Sequence, residues 1–185
     1  REDFIMNEFF KKFTKMYVDA IKQDIDFNDL SMTIDLIEDC AKSKGKLIFA
    51  GNGGSAAMAS HVAVDFTKNA GIRSINFNEA DLITCFANDF GYENWVKEAL
   101  NFYADENDLV FLISSSGNSM NMVNAAKFCE RKKINFVTLT GFSKNNNLSL
   151  HGNIKFWVDS KEYNIVEMTH HIILLLLVDY VINNN

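Results

Sequence analysis

Residues Lys46–Asp65, with the sequence KLIFAGNGGSAAMASHVAVD, predict a buried strand, a glycine-rich turn and a helix. The residues that precede Gly51 are apolar enough for a strand in the core. Glycines in the turn allow positive φ angles and let a ligand approach the backbone closely. Ser55 is predicted to cap the helix, whose free N–H groups would form an anion site. The turn is interpreted either as a site for a phosphorylated small molecule or as an ordinary connection without a ligand.

The composition limits the class of protein. The chain has 185 residues and a formal net charge of −6. Its length fits one domain with a sizeable core, and its acidic balance argues against a nucleic-acid surface, which is normally basic. Cys40, Cys85 and Cys129 are widely spaced and predict reduced thiols. The longest strongly apolar run, 172–178, is too short to cross a membrane. We therefore expect a cytoplasmic protein without direct nucleic-acid or membrane contacts.

Helical and strand patterns alternate along the chain, after two helices that precede the first strand. This alternation predicts an α/β fold in which helices cover both faces of a mainly parallel sheet. We expect a single domain over 1–185, with 1–44 as a helical extension for oligomer packing and 45–185 as the α/β core. Asp29 or Ser31 is predicted to cap the second helix, and Asn88–Gly91 is predicted to be a turn. The predicted elements are helices over 4–25 and 29–43, a strand over 46–50, a helix over 55–70, a strand over 73–77, helices over 82–87 and 92–103, a strand over 109–113, a helix over 119–132, strands over 134–139 and 154–158, and a helix over 165–181.

A second strand-to-helix turn, Ser114–Ser119, has the sequence SSSGNS. In an open parallel sheet this turn and the glycine-rich turn both lie at the carboxyl ends of strands, where ligands bind. Hydroxyl and backbone N–H donors hold a phosphate without a basic side chain. One such turn alone is as readily explained by serines that satisfy their own backbone. Two of them at equivalent places in one sheet favour ligand binding.

Two groups of ionisable residues lie on predicted helices. His61 and Asp65 are four residues apart and share a helix face, opposite the apolar face, so they point to solvent, a site or a neighbouring subunit. Alone, such a pair is usually a surface pair. Glu167, His170 and His171 share the last helix. They are interpreted either as surface or interface charges or as acid–base groups, and they do not form a complete zinc motif.

These residues together resemble the SIS (sugar isomerase) domain family over essentially the whole chain. The phosphoheptose isomerase branch, which converts sedoheptulose 7-phosphate to a heptose 7-phosphate, is the most similar. The resemblance implies a flavodoxin-like three-layer sandwich and a homotetramer with sites between subunits. It also implies that the serine turn holds the sugar phosphate and that the glycine turn lines the pocket. The candidate phosphate-binding residues are Asn52, Gly53, Ser55, Ser114, Ser115, Ser116 and Ser119.

The sequence departs from this family at two positions on the last helix. In the family, a His and a Glu on the glycine-turn helix face a Gln and a His on the last helix, and the four surround zinc in some members. His61 matches the first His, and Asp65 is one methylene shorter than the Glu. Val166 and Leu174 occupy the Gln and second His positions, where they can neither bind metal nor transfer a proton. We hypothesise that His170 or His171 substitutes.

We therefore expect a phosphosugar aldose–ketose isomerase that acts through a cis-enediol. Asp65 is expected to be the general base, and His61 with His170 or His171 is expected to assist proton movement at the oxygens. No cofactor is expected to be required; if zinc binds, His61 and Asp65 would be its ligands. The alternatives are a non-catalytic phosphosugar-binding SIS module and a tetrameric scaffold for a protein partner. The supporting candidates are Glu167 and Asp89.

Overall fold

The computed structural model of the chain describes residues 2–184, with side chains described from residue 4. Strands and helices alternate after two leading helices, as the sequence predicts, and a short 3₁₀ turn, Leu148–Leu150, precedes the last strand. The helices are α1 Glu2–Asp24, α2 Phe27–Lys42, α3 Gly54–Lys68, α4 Ala80–Phe90, α5 Trp95–Tyr103, α6 Met120–Lys132 and α7 Tyr163–Asn184. The strands are β1 Leu47–Gly51, β2 Ser74–Asn76, β3 Leu109–Ser114, β4 Asn135–Thr140 and β5 Ile154–Trp157.

The five strands of this sheet are parallel and lie in the order β2-β1-β3-β4-β5. This is the flavodoxin-like order, in which the connections run in opposite directions from β1, so a crevice opens between the carboxyl ends of β1 and β3. The register pairs Gly51 with Ile113. The ends of the two strands therefore lie side by side, and the loops that follow them are neighbours. The predicted parallel sheet is confirmed.

Alternate residues of the central strands supply two cores, one on each face of the sheet. On one face Phe49 and Phe111 stack with ring centroids 4.7 Å apart, and Phe66 of α3 stacks on Phe49 at 5.8 Å. This core also takes residues from α2 and α7. On the other face Ile48 and Val110 pack with residues of α5 and α6. The three-layer arrangement that the sequence predicts is confirmed.

The second helix differs from its prediction in both its cap and its role. Asp26, rather than Asp29 or Ser31, caps α2, and its side chain accepts a hydrogen bond from the N–H of Asn28 at 2.7 Å. Ile37 of α2 is fully buried in the core. Helix α2 therefore belongs to the helical layer of the sandwich, and the role of 1–44 in oligomer packing stays a prediction.

The first helix is only partly covered by the rest of the chain. Ala20, near its carboxyl end, is buried with residues of α7. Phe4, Phe9 and Phe10 are 69%, 53% and 57% exposed. Isolated exposed apolar residues are common, but a contiguous aromatic group of this size marks an interaction surface. Contact of this half of α1 with another copy stays a prediction.

Two further elements differ from their predicted extents. Helix α4 continues to Phe90 and ends at Gly91, so Asn88 and Asp89, predicted in a turn, are helical. Helix α7 is longer than the predicted apolar run, and its 22 residues have a mean hydropathy of 1.8 in the most apolar window, enough by length and composition to cross a membrane. Half of that window is buried, and Leu177 packs in the core beside the sheet. This burial is typical of a core helix.

A buried ion pair joins the amino ends of β1 and β3. Lys46 Nζ lies 2.6 Å from Asp108, which is 2% exposed, and 2.9 Å from the exposed Asp105. Asp108 also accepts hydrogen bonds from the backbone N–H groups of Lys46 and Asp105, both at 2.8 Å. Burial lowers the pKa of Lys46, but its bonds to the two carboxylates outweigh this effect and raise it. This group fixes the amino ends of the two strands, opposite the ends from which the glycine-rich turn and the serine turn leave.

Removing the buried member of this group should destabilise the fold. We expect Asp108→Ala to lower the free energy of unfolding by about 3 kcal/mol, because Lys46 and two backbone N–H groups lose their acceptor. Urea unfolding monitored by circular dichroism measures the change. Asp105→Ala removes the exposed carboxylate and should have a much smaller effect. Equal losses in the two variants would contradict a dominant role for the buried carboxylate.

Candidate active site

The glycine loop, residues 51–55, connects β1 to α3 at the crevice. Gly53 has a φ of +54° and is the N-cap of α3, without a side-chain capping bond. Ser55, predicted to be the cap, lies inside the helix, is 3% exposed and donates its backbone N–H to the Asn52 carbonyl at 3.0 Å. That prediction is wrong, because the cap lies two residues earlier, at Gly53, where the backbone has a positive φ. The first N–H groups of α3 face the crevice without a side-chain cap.

The serine loop, residues 114–119, connects β3 to α6 beside the glycine loop. Ser119 is the N-cap of α6, also without a side-chain capping bond. Ser114 Oγ lies 3.1 Å from Ser119 Oγ, and Ser116 Oγ accepts a hydrogen bond from the N–H of Asn118 at 3.2 Å. Two uncapped helix N-termini thus meet at one crevice. Such termini attract anions through their free N–H groups and dipoles.

The hydroxyl groups of the serine loop divide into used and free donors. Ser115 contacts the Glu167 carboxylate at 3.5 Å, a long bond in which its hydroxyl is the donor. The hydroxyls of Ser114 and Ser119 share one bond, which leaves one of the pair with a free O–H. Ser116 uses its oxygen as an acceptor and keeps its O–H free. The loop therefore offers two hydroxyl donors in addition to its backbone N–H groups.

Glu167 links the last helix to both loops. Its carboxylate lies so close to Gly54 that a Cβ added there would collide with it. The same carboxylate accepts from Ser115 on the other loop. A Cβ at position 54 would therefore force the end of the Glu167 side chain to move. The supporting role of Glu167 stays a prediction.

Asn52, predicted to line the pocket, bonds to two residues that the sequence reasoning missed. Its amide exchanges two hydrogen bonds with the amide of Asn121, at 2.8 and 3.1 Å. Its oxygen also accepts from the Tyr92 hydroxyl at 3.0 Å. Asn121 follows the serine loop, but Tyr92 lies in a turn that carries no chemical motif. Only the spatial proximity of that turn to the glycine loop reveals it.

A second polar group lies on the outer face of α3 and on α7. His61 Nε2 is 3.2 Å from Asp65 Oδ2, and His61 Nδ1 is 2.9 Å from His171 Nε2. Asn69, which sequence reasoning missed, donates to the other oxygen of Asp65 at 3.2 Å. The bond between the two rings joins Nδ1 of His61 to Nε2 of His171, and which of the two donates depends on the tautomers of the rings. His61 therefore contacts both other members of the group, through a hydrogen bond to His171 and an ion-pair contact with Asp65.

The two neighbouring histidines of α7 have different surroundings. His171 contacts His61, and partial burial lowers its pKa, with the nearby His61 adding to the decrease. His170 is fully buried and donates from Nε2 to the Thr140 carbonyl at 2.9 Å. The hypothesis that either could replace the family histidine is therefore wrong for His170, whose ring is enclosed in the core. Leu174, four residues after His170 on α7, is also fully buried.

The candidate zinc ligands do not form a metal site. Among residues 2–184, no group of three His, Cys, Asp or Glu side chains is arranged to hold a metal ion. The donor atoms of His61 are directed at Asp65 and His171 rather than at a common point. Val166 and Leu174 are buried, and a catalytic zinc normally takes three protein ligands. The side chains present do not fit a zinc ion.

Asp89 lies apart from both polar groups. It is on α4, where it accepts from its neighbour Asn88 at 2.9 Å and lies 3.8 Å from the thiol of Cys85. Its carboxylate makes no hydrogen bond to either ligand loop among the side chains that the structure describes. The contacts described for Asp89 therefore do not support its proposed role in the site.

Comparison with known proteins identifies the family. The model of the SIS domain matches residues 8–141, more than half of the chain. The chain belongs to the SIS domain family. This SIS domain is 32% identical to a phosphoheptose isomerase of Buchnera aphidicola over 132 residues, which cover 69% of this chain and 68% of that protein.

Solved structures agree with this SIS fold. A phosphoheptose isomerase from Francisella tularensis superposes with a TM-score of 0.87 at 20% identity and covers 100% of both chains. The NanR protein of Vibrio vulnificus, in complex with ManNAc-6P, gives a TM-score of 0.68 at 19% identity, over 97% of this chain and 63% of that chain. At these identities the likeness shows the fold, and the predicted SIS architecture is confirmed.

The buried histidine should make the SIS domain sensitive to acid. Burial lowers the pKa of His170 from 6.5 to about 4, while the Thr140 carbonyl opposes the decrease. As the pH falls from 6.5 to 4, the unfolded chain takes up a proton at this histidine and the folded protein does not. The stabilisation is therefore complete above pH 6.5, and about 3 kcal/mol of it is lost by pH 4.

Urea unfolding between pH 7 and pH 4 measures this loss in the wild type and in His170→Gln. Glutamine keeps a donor for the Thr140 carbonyl but does not titrate, so the variant should lose less stability on acidification. Carboxylate titration contributes to both proteins and cancels in the comparison. Parallel pH profiles would show that His170 does not cause the effect.

Proposed function

We propose that this SIS domain is a phosphosugar aldose–ketose isomerase that converts sedoheptulose 7-phosphate to a heptose 7-phosphate, in heptose biosynthesis. One observation carries the proposal: the crevice presents two donor-rich loops, and the helix that leaves one of them carries the Asp65 carboxylate and His61, which bonds a second histidine on α7. The two loops provide phosphate binding, and the carboxylate and histidines provide the acid–base groups. Relatives named phosphoheptose isomerase, at 30–38% identity, support this substrate class.

The two loops bind the phosphate. The free hydroxyls of the serine loop and the N–H groups at the N-termini of α3 and α6 are the donors. They carry no full charge, which suits a protein whose net charge of −6 would otherwise repel an anion. Holding the phosphate fixes the position of the sugar carbons and so prepares the proton transfer.

Asp65 is the general base in this proposal. It removes the proton from C1 of the ketose to give a cis-enediol and returns a proton to C2, so one carboxylate serves both steps. His61 and Asn69 hold its two oxygens in place. His171 and His61 move a proton between the O1 and O2 oxygens. Since burial lowers the pKa of His171, its neutral ring both donates and accepts at neutral pH. The mechanism requires no cofactor.

The proposed active unit is a homotetramer in the cytoplasm, with sites between subunits. His61 is seven residues beyond Gly54, which corresponds to about 10 Å of helix rise, so an extended substrate or the loops of a neighbouring copy must reach it. Val64 and Met168, which lie beside the histidine pair on α3 and α7, are 60% and 45% exposed. A second copy that covers these residues would also shield the site from water.

A phosphosugar-binding module without turnover is the second candidate. It rests on the replacement of two family side chains by Val166 and Leu174, both buried. The NanR structure is described as a complex with a phosphosugar, ManNAc-6P. Such a module would keep the phosphate loops and lose proton exchange. A scaffold for a protein partner would bind no sugar.

Proton NMR in D₂O with sedoheptulose 7-phosphate tests the catalytic proposal. The wild type should incorporate solvent deuterium at C2 of the product. Asp65→Asn should reduce the exchange rate about a hundredfold or more, because the amide cannot accept the proton. His171→Ala should reduce it about tenfold, through loss of a hydrogen-bonded proton donor. Ligand line broadening without deuterium incorporation would support the binding module instead.

A matched histidine variant serves as the control. His151, between the 3₁₀ turn and β5, bonds Glu130 of α6 at 2.9 Å rather than a member of the His61–His171 group. His151→Ala should therefore leave the exchange rate within about twofold of the wild type, because it removes no group from the proposed acid–base chemistry. An equal decrease in His151→Ala and His171→Ala would contradict a specific role for His171.

The phosphate loop can be tested separately from the chemistry. Ser116→Ala should raise the KM for the sugar phosphate about tenfold, because a hydroxyl that bonds a charged group is lost. Ser31→Ala, on the exposed face of α2, is the control. Steady-state kinetics measures both variants. An unchanged KM in Ser116→Ala would place the phosphate elsewhere.

A further inference from the structure

The side chains of Asn52, Asn121 and Tyr92 form a polar clamp between the two loops. Asn52 lies in the glycine loop, and Asn121 lies in the first turn of α6, directly after the serine loop. Tyr92 lies in the turn between α4 and α5. The three residues are joined by three hydrogen bonds: the two amides bond each other at 2.8 and 3.1 Å, and the Tyr92 hydroxyl bonds the Asn52 oxygen at 3.0 Å. We call this group the amide clamp.

A backbone group fixes which way each amide faces. The N–H of Met122, which can only donate, bonds Asn121 Oδ1 at 3.1 Å. The Asn121 oxygen is therefore identified, and its nitrogen must be the atom that donates to Asn52 at 2.8 Å. It follows that the Asn52 atom facing this nitrogen is the oxygen. The orientation of both amides thus derives from one unambiguous donor.

The orientation of Asn52 decides what it offers to a ligand. Its oxygen accepts from Asn121 and from the Tyr92 hydroxyl, which uses both lone pairs. Its nitrogen donates one N–H to Asn121 and keeps the other. If the amide turned over, its nitrogen would meet the nitrogen of Asn121, and two donors would face each other. The clamp therefore keeps Asn52 oriented as a donor, which suits an anionic or hydroxylated ligand.

The turn that carries Tyr92 is itself fixed to α6. Asn124 donates from its side chain to the Glu93 carbonyl at 2.8 Å. Asn121 is 2% exposed, so its amide lies in the protein interior. Tyr92 is 54% exposed, and its hydroxyl reaches inward from the surface to the loop. The hydroxyl can therefore be removed without disturbing a buried ring.

We propose that Tyr92 and Asn121 are positioning residues, which hold the Asn52 amide as a donor to the sugar phosphate and lock the glycine loop to the serine loop. This role rests on the proposed function of the site. Asn52 binds the ligand equally in the ground state and the transition state. Weakening the clamp should therefore change KM and leave kcat nearly unchanged.

A double-mutant cycle on Tyr92 and Asn52 tests the proposal. Tyr92→Phe removes only the hydroxyl and should raise the KM for sedoheptulose 7-phosphate about fivefold, with kcat within about twofold of the wild type. In an Asn52→Ala background the same change should raise KM by less than about 1.5-fold, because Tyr92 acts through Asn52. An unchanged KM in Tyr92→Phe, or the same increase in both backgrounds, would overturn the proposal.

Tyr103→Phe is the matched control. Tyr103 is 49% exposed on α5, and its hydroxyl makes no hydrogen bond among the described side chains. This variant should keep the wild-type KM. Asn121→Asp keeps an acceptor for Met122 but cannot donate to Asn52, and if it folds it should raise KM further than Tyr92→Phe.

Hydrogen exchange separates failure of the clamp from failure of the proposed function. If the wild type does not convert the sugar phosphate, the function falls, and the clamp is decided by the exchange of the Ser55 and Ala56 amides, which both bond the Asn52 carbonyl. Mass spectrometry should show these amides exchanging at least about threefold faster in Tyr92→Phe and unchanged in Tyr103→Phe, since loop opening sets the rate. Equal exchange in the wild type and Tyr92→Phe would overturn the clamp even without turnover.

Discussion

The parallel pairing of β1 with β3 is the constraint on which the rest of the structure depends. Because the strands run the same way and pair Gly51 with Ile113, the loops that follow them begin at the same height. The Phe49–Phe111 stack and the Phe66 ring above it stabilise this pairing from within the core. Lys46 and Asp108 fix the opposite ends of the two strands. A slip by one residue would move these rings to the other face of the sheet and separate the loops.

The electrostatics of the crevice follow from this geometry. The proposed phosphate site uses partial charges only: helix N–H groups, hydroxyls and one oriented amide. Glu167 adds a full negative charge beside these donors. A carboxylate at this place keeps the Ser115 hydroxyl occupied and leaves the hydroxyls farther along the loop for a ligand. The balance of attraction and repulsion favours a ligand with many hydroxyls as well as a phosphate.

The acid–base group shows how the geometry of a helix assigns different roles to adjacent residues. Each residue of α7 is rotated by about 100° from the one before it. His170 therefore faces the sheet and bonds the Thr140 carbonyl, while His171 faces α3 and bonds His61. The same rotation places Val166 and Leu174 in the core. His171 therefore bonds His61, although the resemblance to the family places the corresponding histidine at position 174, where this chain has Leu174.

The sequence by itself determined the α/β class, the order of the elements, the two donor-rich turns and the orientation of His61 and Asp65, because these depend on local periodicity and residue spacing. It did not determine the cap of α2 or the start of α3. In each segment several neighbouring polar residues or glycines can begin a helix, and the sequence does not say which one does. It also placed His170 and His171 together, because both are histidines on one helix. Only the tertiary structure separated them, and only it brought Tyr92 and Asn121 to Asn52. Contacts between residues distant in the chain depend on how the layers pack, and no local pattern records that.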